Sequence, residues 1–221
     1  MRILQGKPPG QLILNDIRNK VSRMERPPVL GVVCSDRNQP YFKGIMRDAE
    51  FCGIKVLHRY LVDRVDGVIS LDKDWVPPFE LNLDGGGMVP CTAEAIMELL
   101  KYYNIPVAGK NVCVIGRSER VGRPLTNLLL DADATVTTCH SKTKDVIWHA
   151  MHKDIVVSCV GNAGFNLRGV SDQYMTVVDI GDDFFDIGEP GWLVPFIGGV
   201  GPVTRAVLMR HVYLKAIERR K

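Results

Sequence analysis

The segment NVCVIGRSERVGRPL, residues 111–125, decides the fold of this 221-residue chain. Val112–Ile115 is predicted as a short buried strand that ends at Gly116, and a helix is predicted to begin near Gly122. In such a turn, backbone N–H groups can approach a pyrophosphate at the positive end of the helix. The spacing of the two glycines differs from G-x-G-x-x-G, and similar turns occur without any ligand. From this segment alone, a turn with a purely structural role is also a valid interpretation.

The residues after the next predicted strand indicate which dinucleotide would bind. The strand is Thr135–Thr138, and His140-Ser141-Lys142-Thr143 follows it. In dinucleotide-binding folds, an acidic residue at this place usually reads the adenosine ribose. Here the chain has a hydroxyl and a lysine instead, and Arg117 lies on the neighbouring turn. These donors suit a 2′-phosphate, which predicts NADP rather than NAD. The alternative is a solvated polar turn.

The rest of the chain alternates between strand and helix patterns, which predicts an α/β fold with parallel sheets. In the first part we predict a helix over Leu14–Met24, a strand at Val29–Cys34, a helix from Tyr41 to Phe51 with Gly53 as C-cap, strands at Ile54–Tyr60 and Val68–Ser70, and an irregular loop over Leu71–Val89. In the second part we predict a helix capped by Thr92 through Tyr102, helices at Gly122–Leu130 and Trp148–His152, strands at Ile155–Cys159 and Val177–Ile180, and a last helix with an apolar stripe of Val203, Val207, Leu214 and Ile217.

Composition excludes several classes of protein. The 28 basic and 25 acidic residues give a net charge of +3, which does not indicate a nucleic-acid or membrane surface. No apolar run reaches the ~18 residues of a membrane span, and the start of the chain has no signal core. The six dispersed cysteines are predicted to be buried and reduced. His149 and His152 lack a third ligand at a suitable spacing, so we predict no metal.

Several motifs resemble those of bifunctional methylenetetrahydrofolate dehydrogenase/cyclohydrolases. They are ILQGK, VLGVVCSDRNQPY, VPCTAEAIMELL, VIGRSERVGRPL, TVTTCHSKT and IGGVGPVT, and they span nearly the whole chain. The resemblance implies a small amino-terminal α/β domain of folate-binding type, residues 1–92 joined by the last helix 203–221. It also implies a Rossmann-like NADP-binding domain over residues 93–202, a homodimer, and a cytoplasmic place in one-carbon metabolism.

The resemblance also implies roles for individual residues. The dinucleotide turn would use Gly116, Arg117, Ser118 and Gly122, and Ser141 would contact the 2′-phosphate. Tyr41 matches the aromatic residue that stacks against the pterin side of folate. The loop that closes over nicotinamide and substrate is matched by Gly198, Gly199, Gly201, Pro202 and Thr204. Thr204 fits a plain helix N-cap equally well, and Asp179 fits a structural role at a strand end as well as a cofactor contact.

The chain departs from the family at the folate end. The family has Tyr-x-x-x-Lys, and Tyr41 and Gly53 fix the register, so Ile45 occupies the position of the lysine that serves cyclohydrolysis. Lys43 cannot replace it, because residues at i and i+2 point apart on a helix. Lys73-Asp74-Trp75-Val76-Pro77 lacks the family's second aspartate, whose place Val76 takes, while Asn82 keeps its register. Ser70-Leu71-Asp72 stands where the family has a glutamine-containing turn.

From these residues we predict an NADP-dependent methylenetetrahydrofolate dehydrogenase whose cyclohydrolase activity is weak or absent. Hydride transfer depends mainly on positioning, whereas cyclohydrolysis needs an activated water. Two alternatives stay open. One is a non-catalytic NADP-binding paralogue that acts as a regulatory or partner subunit. The other is a dehydrogenase that acts on a different small imine or one-carbon carrier.

Overall fold

The computed structural model of the chain describes residues 1–34, 38–58, 67–70, 89–161 and 163–218. The chain divides into two compact units. Unit 1 comprises Met1–Pro9 and Pro90–Thr204, and unit 2 comprises Gly10–Val89 and Arg205–Lys221. Both contain parallel sheets, so the predicted α/β class is confirmed. The predicted functional domains, 1–92 with 203–221 and 93–202, differ from these units at residues 1–9, 90–92 and 203–204, and they stay a prediction.

Unit 1 is built on a six-stranded sheet in which every neighbouring pair is parallel. In spatial order its strands are β1 (Arg2–Ile3), β11 (Trp192–Val194), β9 (Thr176–Asp179), β7 (Ile155–Ser158), β5 (Asn111–Ile115) and β6 (Thr135–Cys139). The chain passes from β5 outward to β6 and then returns across β5 to β7. Strand order therefore reverses beside β5, and ligands of open α/β sheets bind at the carboxyl ends of strands at such a point.

The helices of unit 1 follow the predicted alternation, with two local corrections. They are α3 (Cys91–Tyr102), α4 (Gly122–Asp131) and α5 (Val146–Ala150). Thr92 is not the N-cap of α3, because that helix begins one residue earlier with Pro90 in the cap position. His152 lies outside α5, because Met151 is already extended and His152 adopts a left-handed φ of 58°.

Four short strands of unit 1 were not predicted. They are β1 and β11 at one edge of the sheet, and β8 (Phe165–Asn166) and β10 (Phe184–Asp186), which form a separate parallel pair. Each has only two or three residues, too few for a periodic pattern.

Unit 2 contains a three-stranded parallel sheet in the order β3 (Lys55–His58), β2 (Val29–Val33) and β4 (Gly67–Ser70). The helices of this part of the chain are α1 (Lys7–Val21), of which the residues from Gly10 onward belong to unit 2, and α2 (Pro40–Cys52). Helix α2 ends at Gly53, whose left-handed φ of 73° is the conformation that a glycine C-cap supplies. The predicted strands and helices of this unit are found, with different ends: α1 begins at Lys7 and ends at Val21, so Met24 lies outside the helix in which it was predicted. The end of the predicted strand at Tyr60, and the predicted loop over Leu71–Val89 up to residue 88, lie outside the described residues.

The last helix, α6 (Val200–Glu218), is buried on nearly all sides rather than along one stripe. Leu214, predicted in the stripe, has 44% of its surface exposed, so that expectation was wrong. Four consecutive residues, 206–209, are buried, so more than one face of the helix is covered. Thr204 lies inside α6 and donates its hydroxyl to the Val200 carbonyl at 3.2 Å, which excludes the N-cap role.

The six cysteines are free thiols, and four of them are buried: Cys34, Cys52, Cys113 and Cys139. Burial was predicted for all six, and this was wrong for Cys91 and Cys159, which are only half-buried. Within the described part of the chain, no helix has both the length and the apolar character needed to cross a membrane.

Candidate functional site

The turn after β5 is shaped by two glycines that no larger residue could replace. Gly116 has a φ of +127°, and a Cβ there would lie 2.6 Å from the Cys159 Sγ. A Cβ on Gly122 would collide with the Gly116 carbonyl oxygen. The turn therefore brings the amino end of α4 directly against the end of β5. No side chain stands between the two backbone segments, and a phosphate-binding turn requires such a close approach of backbone.

Ser118 organises the start of α4. Its Oγ accepts hydrogen bonds from the backbone N–H groups of Val121 at 3.2 Å and Gly122 at 3.4 Å. These groups belong to the positive end of the helix, where an anion is stabilised. Arg117 is exposed on the same turn. The predicted residues of the turn therefore lie together, and the Ser118 hydroxyl caps the start of α4.

The turn after β6 presents hydroxyl and basic side chains. Ser141 and Lys142 are exposed, while His140 braces the turn by accepting the Lys142 N–H on Nδ1 at 3.2 Å. The first carboxylate that follows is Asp145, and it accepts the Trp148 N–H at 3.1 Å as the cap of α5. Because β5 and β6 are adjacent and parallel, both turns lie at the same edge of the sheet.

The turn after β7 is held by Asp183, a fully buried residue that the sequence analysis did not single out. One carboxylate oxygen accepts the Ser158 hydroxyl at 2.7 Å and the Val160 N–H at 2.9 Å. The other accepts the N–H groups of Gly161 at 2.7 Å and Ala163 at 3.1 Å. Asp183 therefore fixes the backbone that follows β7, beside the Gly116 turn.

Asp179 supports Asp183 from the end of β9. Its carboxylate accepts the Asp183 N–H at 3.0 Å. Burial raises the pKa of Asp179, and hydrogen bonds from the backbone N–H groups of Asp183 and Phe184 partly offset that effect. Three acidic residues within five positions, Asp179, Asp182 and Asp183, after an apolar strand were the only sequence signal of this cluster. These contacts give Asp179 a structural role.

The glycine-rich segment at the start of α6 packs against the amino-terminal strand segment within unit 1. The Gly6 N–H donates to the Gly198 carbonyl at 2.8 Å, and a Cβ on Gly6 would collide with the Gly199 carbonyl oxygen. Gly198 has a left-handed φ of +81° and is exposed. Gly201 and Pro202 already belong to the first turn of α6. This segment follows β11 and so begins at the carboxyl edge of the same sheet.

In unit 2, α2 carries the residues predicted for the folate side. Tyr41 is half-buried, and Ile45, one turn later, is fully buried. Lys43 is exposed, so it lies on a different face of α2 from Ile45. The other folate-side residues, Lys73–Pro77 with Val76, Asn82, and Leu71 and Asp72, lie outside the described residues. Of the groups that the structure describes, no cluster of three or more His, Cys, Asp or Glu residues could hold a metal.

The sequence matches a known protein family over more than half of its length. The profile described as tetrahydrofolate dehydrogenase/cyclohydrolase, NAD(P)-binding domain, matches residues 90–221. The bifunctional protein FolD of Kosmotoga olearia is 31% identical, with 95% of each chain covered. The bifunctional protein FolD of Nocardia farcinica is 41% identical over 72% of this chain and 62% of its own.

Two solved structures are similar to this chain. The 5,10-methylenetetrahydrofolate dehydrogenase of the silkworm, Bombyx mori, superposes with a TM-score of 0.81 at 25% identity, covering 99% of both chains. The bifunctional FolD enzyme of Campylobacter jejuni gives a TM-score of 0.79 at 26% identity with the same coverage.

Proposed function

Because the chain belongs to the tetrahydrofolate dehydrogenase/cyclohydrolase family, we propose that it is an NADP-dependent methylenetetrahydrofolate dehydrogenase of one-carbon metabolism. The observation that carries the proposal is the edge of the unit 1 sheet. There the Gly116 and Gly122 turn, the Ser118 cap and the basic turn after β6 occur together at the reversal of strand order.

The residues at this edge fit a phosphorylated dinucleotide. The positive end of α4 favours the charge of the pyrophosphate, next to glycines that leave no side chain in the way. In this structure the Val121 and Gly122 N–H groups at that end are bound by the Ser118 Oγ. Arg117, Ser141 and Lys142 are exposed donors that suit a 2′-phosphate. Asp145, which could have read a bare ribose hydroxyl, is engaged at the start of α5. This arrangement favours NADP over NAD.

The chain's own residues would act by holding and orienting. When bound, NADP accepts the hydride that leaves the methylene carbon of the folate. The Asp183 cluster holds the backbone after β7, and the segment from Gly198 to Thr204 would border the nicotinamide and substrate, as its motif implies. Tyr41 would stack against the pterin. Hydride transfer needs such positioning and no protein acid or base.

We propose further that cyclohydrolase activity is weak or absent. Hydrolysis of the methenyl product needs a group that positions and deprotonates water, an effect worth ~10²–10⁴-fold in rate. Ile45 occupies the position at which the family has lysine, and its alkyl side chain is fully buried. Lys43 is exposed on another face of α2 and offers no substitute.

Two measurements on the purified protein test the proposal. Reduction of NADP⁺ to NADPH in the presence of 5,10-methylenetetrahydrofolate tests the dehydrogenase. Decay of methenyltetrahydrofolate, compared with the same buffer without protein, tests the cyclohydrolase. We expect the first rate to be typical of enzymes and the second to match the buffer. Hydrolysis well above the buffer rate would show that Lys43 or another group replaces the missing lysine.

A second candidate function is a non-catalytic NADP-binding subunit. It is favoured by the same buried alkyl side chain at Ile45, because a chain that has lost a catalytic group at the folate side can retain the nucleotide side. Equilibrium binding of NADP and of tetrahydrofolate, measured separately by calorimetry, separates the two functions. Binding of NADP alone would favour the subunit. Light scattering on the same sample tests the homodimer that the family resemblance implies.

A further inference from the structure

The side chain of Arg205, from α6, packs against helix α2 within unit 2. Its Nε donates to the Asp48 carboxylate at 2.8 Å, and the side chains of this ion pair are only 14% and 7% exposed. A Cβ on Gly44 would lie 2.7 Å from that Nε and 2.9 Å from the guanidinium carbon. Gly44 therefore leaves the space that the guanidinium fills, and Asp48 holds it there.

The guanidinium held in this way lies near the ring of Tyr41. The distance from the guanidinium carbon to the ring centroid is 5.9 Å, within the range of a cation–π contact. Tyr41, Gly44 and Asp48 follow one another at spacings of three and four residues, so they line one face of α2. One arginine from α6 thus contacts three successive positions of that face.

Joining two helices by a buried ion pair costs desolvation free energy. Both charges lose hydration, and apolar residues of similar size often stabilise a protein equally well. The planar guanidinium differs from such residues because it fixes the direction of its N–H donors and can lie against an aromatic ring. Here the guanidinium borders one side of the Tyr41 ring.

We propose that Arg205 is a positioning residue for the folate side, acting by holding the Tyr41 ring in the orientation that receives the pterin. The inference rests on the proposed function, in which Tyr41 stacks on the folate. It adds an element that the sequence motifs do not contain, namely an arginine–aspartate pair that links α6 to the tyrosine of α2.

A second arginine that pairs with Asp48 provides a matched control for the test. Arg47 also pairs with its carboxylate, at 3.3 Å, but the Arg47 side chain is 71% exposed. Arg205→Gln and Arg47→Gln therefore each remove one cation from Asp48, and only the first removes the group beside Tyr41. Affinity for tetrahydrofolate and for NADP is measured by calorimetry on the full chain under anaerobic conditions.

We expect Arg205→Gln to weaken tetrahydrofolate binding about 5- to 10-fold, in line with a partly desolvated cation–π contact. The NADP affinity of this variant should stay unchanged. Arg47→Gln should match the parent protein in its affinity for both tetrahydrofolate and NADP. The tetrahydrofolate affinity of Arg205→Lys should lie between those of the parent protein and Arg205→Gln. In a Tyr41→Leu background, Arg205→Gln should cause no further loss, because the arginine acts through the ring. If Arg205→Gln does not fold, Gly44→Ala displaces the guanidinium while leaving both charges in place, and the same loss is expected.

Three results would overturn the inference. They are equal tetrahydrofolate affinity in Arg205→Gln and Arg47→Gln, a parallel loss of NADP affinity that indicates general destabilisation, and additive losses in the Tyr41→Leu background. A parent protein that binds no tetrahydrofolate overturns the proposed function and the inference together. A parent that binds it normally while Arg205→Gln does so equally well overturns only the inference.

Discussion

Arg117 is the residue on which cofactor choice should depend. It is exposed on the turn between β5 and α4, one position before the serine that caps the helix. We expect NADP to bind at least ~10-fold more tightly than NAD, a difference of about 1.4 kcal/mol. Arg117→Ala should remove most of that preference by weakening NADP alone. Arg123→Ala is the control, since Arg123 is directed to Glu119 at 3.6 Å. Equal calorimetric affinities for the two cofactors in the parent protein would refute the assignment.

The burial of Ile45 makes it costly to restore the family's lysine at this position. The residue is fully buried, so Ile45→Lys would bring an ammonium into an apolar environment. Unpaired buried charge is costly, and we expect a loss of several kcal/mol of stability, on the order of ~3 kcal/mol, together with little gain in cyclohydrolase rate. Ile45→Met, which nearly conserves volume, should cost less than about 1.5 kcal/mol. Thermal melts and hydrolysis assays on both variants check this. A folded, active Ile45→Lys enzyme would contradict the expectation.

Single residues were predictable where a local spacing fixes them. The helix predicted from Tyr41 to Phe51 with Gly53 as C-cap agrees within one residue at each end with α2, which Gly53 caps. Asp183 could not be found in this way. Its partners Ser158, Val160, Gly161 and Ala163 precede it by 20 or more residues, and only the folded sheet brings them together. Arg205 was missed for the same reason, because its partner Asp48 is 157 residues away in the chain.

At the scale of secondary-structure elements, the turn after β7 depends on one carboxylate. Both oxygens of Asp183 accept hydrogen bonds, and an Asn side chain has only one acceptor oxygen. Asp183→Asn therefore leaves at least one partly buried backbone N–H without its acceptor, at a cost of about 1–3 kcal/mol. Because this turn adjoins Gly116, we expect weaker NADP binding as well as a lower melting temperature. Unchanged NADP affinity in the variant would show that the turn does not border the cofactor.

Asp179→Asn is the matched variant at the end of β9, and it should raise the stability that Asp183→Asn lowers. The Asn oxygen can still accept the Asp183 N–H, while the buried charge is removed. Since burial raises the pKa of Asp179, its ionised form destabilises the fold at neutral pH. That cost disappears as the pH falls through the raised pKa. The variant should therefore be more stable than the parent at pH 7 and equal to it below the ordinary pKa of 3.8. Denaturant melts across this pH range give the comparison.

Elements long enough to show a period were predicted, and those defined by pairing alone were not. Strand β1 exists because Arg2 and Ile3 pair with Trp192 and Leu193 at the far end of the chain. Nothing in residues 1–3 alone indicates it. Thr92 failed as a cap because the backbone already turns at Pro90, where the carbonyl accepts the Glu94 N–H at 3.1 Å. Local residue preference was weaker here than the geometry set by the preceding chain.

At the scale of the whole molecule, α6 is the helix that belongs to both compact units. The unit boundary falls between Thr204 and Arg205, inside the helix rather than in a loop. Its near-complete burial explains why one apolar stripe was the wrong expectation. A helix that contributes to an interior on more than one side needs apolar residues on more than one face.

The burial of α6 predicts a sharp contrast between two neighbouring positions of unit 2. Val212 is fully buried and Leu214 is 44% exposed. Val212→Asp would bury a carboxylate with no partner designed for it, and we expect a loss of about 3 kcal/mol or more, with reduced hydrogen-exchange protection in β2. Leu214→Asp should stay within about 0.5 kcal/mol of the parent protein, as surface changes usually do. If Val212→Asp lowers protection only within α6 and leaves β2 unchanged, the helix does not support the sheet of unit 2. Loss of β2 protection, with α4 and β5 still protected, would show that the carboxyl-terminal part of α6 completes the core of unit 2.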